Sequence, residues 1–458
     1  MMPVVATANS YDVRLERAID DARNAYGGTR QNSQALWERA VEVLPGGNSR
    51  TQLFFEPFPF YVARAEGCRL TDVDGHVYLD LVNNYTSLVH GHPGPRLTET
   101  LQQQVAAGTA YGAPSSLEVE LAAELCKRIP SIERVRFANS GTEAVLYACR
   151  AARLFTGKSD LVRAEGGYDG GHDGMQVGLK SFSSGQESIP ERGVPQWVAE
   201  HTHLMPFNDI DASVALIRRV ADRVAAVVVE PVQGYAGHLP AAPGYLQALR
   251  DVCDETGVLL IFDEVLTLRL ASGGAQELFG VRPDLTALGK IIGGGLPVGA
   301  FGGRADVMNL FDPRRQDVPF HGGTFNANPM SLAGGLVYLQ ELTQTTIDRM
   351  NNAGDRLRDH INGLAADSVL PVVATGIGSL LRLHGGTAPP DSARDALSRD
   401  QRVPELLFYL LLEQGVFMGT KRGVMCISSA MDPDDLSAIA SGFTTAISKA
   451  AGLIGAGA

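Results

Sequence analysis

The sequence predicts an α/β fold in which buried strands of the parallel type deliver chemistry-bearing residues at their C-terminal tips. Three stretches predict it. Val258–Phe262 is an unbroken apolar run that ends in Asp263 and Glu264; Ala225–Val229 is a second, ending in Glu230. Val135–Ala138 is followed by the turn residues Ser140, Gly141 and Thr142, and then by Ala144, Val145, Ala148, Cys149 and Ala152 on one helical face. Strands without alternating polarity are buried on both faces, as parallel sheets are, and open α/β sheets place their ligands at the strands' carboxyl ends.

At 458 residues the chain is long enough for a large core and two domains. Its charge is 39 − 51 = −12, which argues against a nucleic-acid partner held by a general basic field. The five cysteines are odd in number and contain no CxxC pair, so they suggest neither a disulfide framework nor a zinc site, and a reducing cytoplasm fits them. No apolar run reaches the ~18 residues of a bilayer span, and the N-terminus lacks a basic segment leading into an apolar one. No membrane association is expected.

Along the chain, residues 1–44 have helical spacing, read as one leading helix, until Pro45-Gly46-Gly47 breaks it. The segment 58–81 alternates around Asp74-Gly75 and reads as an antiparallel hairpin. Residues 97–130 are helical, punctuated by Gly112 and Pro114. At the Ser140-Gly141-Thr142 junction the unpaired amides of a helix start, close backbone approach at Gly141 and a hydroxyl at Thr142 make a phosphate cradle; an ordinary N-cap serine would look the same. After a short strand at Leu161–Ala164 come Gly166, Gly167 and Tyr168. The polar stretch 181–196 reads as a long mobile loop, of the kind that forms lids. His172-Asp173 has no further metal ligand at a suitable spacing.

Asp284–Leu288 leads directly into Gly289 and Lys290 and then into the glycine-rich turn 293–295. The two strands thus present one acid, Asp263, and one amine, Lys290. Such an amine can form a Schiff base with an aldehyde cofactor, and such an acid can hold the cofactor's ring nitrogen protonated. From residue 340 onward a helix, a strand at Ser379–Leu383, a helix at Val403–Gln414 and a terminal helix opened by Pro433-Asp434-Asp435 follow, with a frayed tail at 452–458.

DEV at 263–265, followed 27 positions after its Asp by the Lys of LGKIIGGGLPVGAFGGR, resembles the cofactor segment of class III, fold-type I aminotransferases that use pyridoxal 5′-phosphate. NSGTEA at 139–144, EPVQG at 230–234 and HGGTFNANP at 321–329 resemble further motifs of that family in the same order. Within it, the chain is most similar to β-amino acid (β-phenylalanine) aminotransferases and to glutamate-1-semialdehyde 2,1-aminomutase. The resemblance implies a mainly parallel sheet in a large domain, 81–340, and a smaller α+β domain made from residues 1–80 and 341–458. It implies Lys290 and Asp263 as catalytic residues, with Ser140, Gly141, Thr142, Tyr168, Glu230, Val265 and Thr324 about the cofactor.

Tyr168 would stack on the cofactor ring opposite Val265, although Asp169 stands where the family usually has histidine. Glu230 fits either a catalytic or a backbone-bonded structural carboxylate. Thr324 would reach the partner's cofactor phosphate across a dimer, which makes a homodimer with a shared active site the expected assembly. Arg50 and Arg422 would bind a substrate carboxylate, Arg50 as in the β-amino acid enzymes; each would otherwise be a solvated arginine. Tyr85 would lie near the substrate or pack in the core. Leu266 replaces a glutamine common in the class, a change shared with the aminomutase-like branch.

The leading expectation is ping-pong amino transfer between a carboxylate-bearing amino acid and a keto acid. The aminomutase is the alternative, supported by the long loop. A binding-only protein would have little use for the Lys–Asp pair, and no GxxxxGK[ST] spacing supports a nucleotide site.

Overall fold

The computed structural model describes residues 10–179, 190–368, 370–420 and 423–455. The chain forms two compact units, one of residues 86–351 and 391–398, the other of 1–85, 352–390 and 399–458.

The larger unit is built on seven strands: β1 (Arg134–Ala138), β2 (Asp160–Ala164), β3 (Thr202–Met205), β4 (Val224–Val229), β5 (Leu259–Asp263), β6 (Leu285–Gly289) and β7 (Gly299–Gly303). Their order is β1-β7-β6-β5-β4-β2-β3. From β6 through β5, β4 and β2 to β3 every pairing is parallel, whereas β7 runs antiparallel to both β6 and β1. The α/β reading with a mostly parallel sheet therefore holds. Alternate residues of one strand enter two separate cores, as period-two side-chain geometry requires. Val227, Val229, Leu260 and Phe262 pack with the helix Tyr245–Thr256, while Ala226, Val228, Leu259 and Ile261 pack with the helix Gly141–Thr156.

Strand β7, which lies beyond the glycine-rich turn 293–295 and was not expected as a strand, has three glycines among its five residues. Glycine is needed there by proximity. A Cβ on Gly299 would come within 2.0 Å of the Ser140 carbonyl oxygen, and one on Gly303 within 2.1 Å of that of Asp284. The low β propensity of glycine is thus overridden by a strand threaded between two neighbours that leave no room for a Cβ at Gly299 and Gly303.

In the smaller unit, Val62–Glu66, Arg69–Asp72 and Val77–Asp80 form an antiparallel meander, extended by Val416–Phe417 in parallel. The expected hairpin is its second half. A further sheet joins Val372–Ile377, Leu380–Gly385 and Val424–Cys426. The expected single leading helix is two, Ser10–Gly28 and Gln31–Val41, broken after a Gly-Gly pair that stops the first. The tail expected to fray continues the last helix, Pro433–Gly455, to Gly455, with Ile454 buried. Most of the expected mobile loop, residues 180–189, lies outside the described residues. Among the described residues no helix is long and apolar enough to cross a membrane.

Gly299→Ala is expected to lower stability by about 2–3 kcal/mol through overpacking, read as a shifted urea midpoint. Gly112→Ala, where nothing lies within 4 Å of the added carbon, is expected to stay within about 0.5 kcal/mol of the parent.

Candidate active site

The site is assembled by strand register in the larger unit. Asp263, the last residue of β5, pairs across to Ala287 of β6, and the Glu264 N–H continues the ladder onto the Ala287 carbonyl at 2.9 Å. Three residues beyond Ala287, Lys290 begins a short 3₁₀ turn with φ of 49°. Left-handed backbone at a residue other than glycine costs about 1–3 kcal/mol and is typical of functional sites.

Asp263 is 4% exposed, and one carboxylate oxygen accepts the Val265 N–H at 2.9 Å. Burial foremost, and then the charge of Asp169, raise its proton affinity; Lys290 works against them. The donor set fits a cationic ring N–H, which would return to this carboxylate the opposite charge that burial denies it. Its neighbour Glu264 has a different task. Buried, it accepts from the Thr267 hydroxyl, the Gln276 side chain and the amides of Ala275 and Gln276, so it ties β5 to the following turns.

Gly141 lies against these strand tips. A Cβ there would meet Val265 Cγ2 at 2.9 Å, and one on Gly289 would meet Gly141 itself at 3.4 Å. Ser140, Gly141, Thr142, Val265, Gly289 and Lys290 are therefore neighbours. The Ser140 hydroxyl caps the helix, accepting from Glu143 N at 3.1 Å, while the Glu143 carboxylate returns to Asn139 N at 2.6 Å. This reciprocal cap resembles the capping box and uses one acceptor site of the serine hydroxyl, whose proton is left to donate. Gly141 and Thr142 amides, which have no helical acceptor, remain at the helix start. Thr142 Oγ1 accepts from Gly171 N at 3.1 Å, and its own proton is available to an anion. A phosphate ester fits this junction.

Tyr168 is part-exposed beyond β2, and its backbone N–H is held by Glu230 at 2.8 Å. Glu230 also accepts from Gly234 N at 3.2 Å. Of its two readings, the geometry displays the backbone-bonded one. Burial raises its proton affinity strongly, reinforced by Asp169 and Asp263.

Two residues were missed in the sequence. Arg163, fully buried in β2, donates to Asp169 at 2.8 Å and to the Met175, Val177 and Gly167 carbonyls. Glu165 forms a two-pronged pair with Arg394. A charge in the otherwise apolar run LVRA was the available signal for the first; the second joins residues 229 apart and left none.

Thr324 is exposed in the segment preceding the helix Pro329–Glu341. That segment lines a groove of about 560 Å³ with Tyr111, Arg136 and His321, and neither Lys290 nor Asp263 borders it. In the smaller unit, Arg50 is exposed, donates from Nη1 to Asn84 Oδ1 at 2.8 Å and lies 5.7 Å from the Tyr85 ring centroid. Tyr85 donates its hydroxyl to the Gln52 carbonyl at 3.2 Å. Arg422 lies outside the described residues.

The class III aminotransferase family model matches residues 55–419. The chain is 42% identical to the glutamate-1-semialdehyde 2,1-aminomutase of Methanothrix thermoacetophila over 84% of its own length and 89% of that protein. It is 39% identical to the β-phenylalanine transaminase of Variovorax paradoxus over 92% of its length and 94% of that protein. Among solved structures, an ω-transaminase from Sphaerobacter thermophilus superposes with a TM-score of 0.88 at 40% identity, covering 91% of this chain and 97% of the other. With a buried acid and a lysine at adjoining strand tips beside an anion-accepting helix start, the chain belongs to the class III aminotransferase family and is a pyridoxal 5′-phosphate-dependent aminotransferase of fold type I.

Proposed function

We propose that the chain moves an amino group from a carboxylate-bearing amino acid of the β-amino type to a keto acid, in two half-reactions. The observation that carries this reading is Arg50. Its guanidinium is exposed and steered by Asn84 and Tyr85, with only Nη1 donating, to Asn84. The rest of the fork is open to a carboxylate. The relative that acts on β-phenylalanine supports the reading. Similarity of the same order to aminomutases supports the alternative, an isomerase of the glutamate-1-semialdehyde type.

In the proposed site, pyridoxal phosphate when bound supplies an aldehyde carbon for amine exchange and a ring that takes up the electrons left on a deprotonated substrate carbon. Asp263 would accept the ring N–H and so favour a protonated ring nitrogen. Gly141 and Thr142 amides and the Thr142 hydroxyl hold the phosphate, with Ser140 shaping the turn as its cap. Tyr168 and Val265 would flank the ring, and Glu230 holds the Tyr168 backbone. Lys290 Nζ would hold the cofactor's aldehyde carbon and, as a free amine, would take the proton from the substrate carbon. Arg50 orients the substrate carboxylate, assisted by Tyr85 and Arg422.

A homodimer belongs to the same proposal. Thr324 lies between Phe320, 84% exposed, and Phe325, 59% exposed, a surface suited to burial by a second copy that receives Thr324 at its phosphate. The amino acid and keto acid are small soluble partners, and the free cysteines suit a reducing cytoplasm.

Adding β-phenylalanine without a keto acid is expected to convert the absorbance band of the lysine-bound cofactor to that of the amine form, with one equivalent of keto product. A band that ignores amino acids but responds to glutamate-1-semialdehyde would transfer the assignment to the aminomutase. Lys290→Ala is expected to abolish the lysine-bound band and turnover together. Arg50→Gln is expected to raise KM for β-phenylalanine about 10- to 100-fold, the worth of a hydrogen bond to a charged group, while turnover of an aryl amine lacking a carboxylate changes less than about twofold. An equal loss on both donors would remove Arg50 from carboxylate binding.

A further inference from the structure

The loop that carries Thr324 is fastened to the start of the helix Gly141–Thr156. Asn326 N donates to the Gly323 carbonyl at 3.0 Å, which closes a four-residue turn with Thr324 and Phe325 at its tip, both exposed. The last side chain of that turn reaches outside it: Asn326 Oδ1 accepts from Asn139 Nδ2 at 2.8 Å. Gly323, at the other end, packs on the same bond, since a Cβ there would lie 2.6 Å from Asn326 Oδ1 and 3.2 Å from Asn139 Nδ2. Both ends of the turn therefore meet at one hydrogen bond between residues 187 apart in the chain.

Asn139 is a firm anchor. It follows Ala138, the last residue of β1, which pairs with Gly299 of β7, and its N–H is held by the Glu143 carboxylate at 2.6 Å. Beyond the turn the chain is strained and then fixed again. Ala327 has φ of 54°, a left-handed conformation that a residue other than glycine adopts only under constraint. Asn328 Oδ1 accepts from Met330 N at 3.0 Å and Ser331 N at 3.3 Å, capping Pro329–Glu341, and its Nδ2 donates to the Thr109 carbonyl at 2.9 Å. Between the Gly322-Gly323 pair and strained Ala327, the Asn139–Asn326 bond ties the tip of the turn to the end of β1.

We propose that Asn139 and Asn326 are positioning residues that act through Thr324, holding the turn so that the Thr324 hydroxyl is presented to the cofactor phosphate of a second copy of this chain. The inference rests on the reading of Thr324 as a residue lent across a dimer. A turn entered through two glycines can point in many directions, and a hydroxyl binds a phosphate oxygen only within hydrogen-bond reach. The Asn139–Asn326 bond removes that freedom within one chain, so the turn is ordered by the fold and not at the cost of cofactor affinity. One helix start thereby serves two phosphates, its own through the Gly141 and Thr142 amides and the partner's through Asn139.

The test is the dissociation constant of pyridoxal phosphate, read from the lysine-bound absorbance band as holoenzyme is diluted, for the parent, Thr324→Ala and Asn326→Ala. Each variant is expected to weaken binding about tenfold, the worth of one hydrogen bond to a charged group. Mixed dimers then locate the effect. Two differently tagged subunits are purified as the heterodimer, and Lys290→Ala in one of them leaves a single site that can give the band. Asn326→Ala on the subunit lacking Lys290 is expected to produce the whole tenfold loss, and on the subunit keeping Lys290 none of it, whereas a merely structural defect follows its own subunit. Asn139→Ala, placed on the subunit lacking Lys290 so that its own helix start is not read, serves if Asn326→Ala does not fold. Parent-like binding by the asparagine variant while Thr324→Ala weakens it across the dimer overturns the inference, as does an asparagine defect confined to its own subunit. Thr324→Ala that leaves binding unchanged, or weakens only its own subunit's site, overturns instead the reading of Thr324 on which it rests.

Discussion

The candidate site depends on one piece of strand register. Because Asp263 pairs with Ala287, the chain leaving β6 has three residues in which to reach Lys290. A slip by one residue would move every β5 side chain to the opposite face and carry Asp263 into the core. The register is protected from both sides. Alternate residues of β5 fill two different cores, and Glu264, immediately after Asp263, is locked by donors from the turns beyond it. The DEV triplet thus divides its labour: the aspartate ends the strand at its tip, the glutamate ties that tip to the turns beyond it, and the valine lies on Gly141.

That arrangement concentrates carboxylates where water is excluded. Burial penalises each charge, and the carboxylates oppose one another, so Glu230 and Asp263 both gain proton affinity. The fold answers in three ways. Backbone N–H groups from Tyr168 and Gly234 serve Glu230, an always-charged arginine serves Asp169, and Val265 N with the Lys290 charge serves Asp263. Without such partners a buried charge costs several kcal/mol. These interactions make the site's polar groups structural and chemical at once.

Much of this was legible because apolar strands ending in acids, and a Gly-Lys pair after a short strand, are local patterns. The α/β class, the positions of Asp263 and Lys290 and the helix start at Gly141 could all be read from runs of fewer than ten residues. What could not be read was set by proximity between distant segments. Strand β7 is not legible as a strand until the Ser140 and Asp284 carbonyls are seen to require glycine at 299 and 303. The Ser140 hydroxyl accepts from Glu143 N as a helix cap and still has its own proton to donate, so the cap and phosphate-cradle readings of Ser140 are compatible. Glu230 was left open between two roles, since its partners come from two separate loops.

Backbone strain marks the substrate-binding candidates as it marks Lys290. Asn83, Asn84, Tyr85 and Thr86 have φ of 48°, 48°, 53° and 74° in succession. Asparagine tolerates the left-handed region, but tyrosine and especially β-branched threonine do not adopt it without support. The support is specific. Asp80 accepts the amides of Val82 and Asn83 through Oδ1, and Asn83 Nδ2 reaches the Cys426 carbonyl at 3.1 Å. The turn so held places the Asn84 oxygen and the Tyr85 ring where both engage Arg50. A relaxed turn would surrender that pairing, since the two groups come from consecutive residues whose side chains diverge in extended backbone. The strained turn therefore holds one guanidinium in a fixed direction.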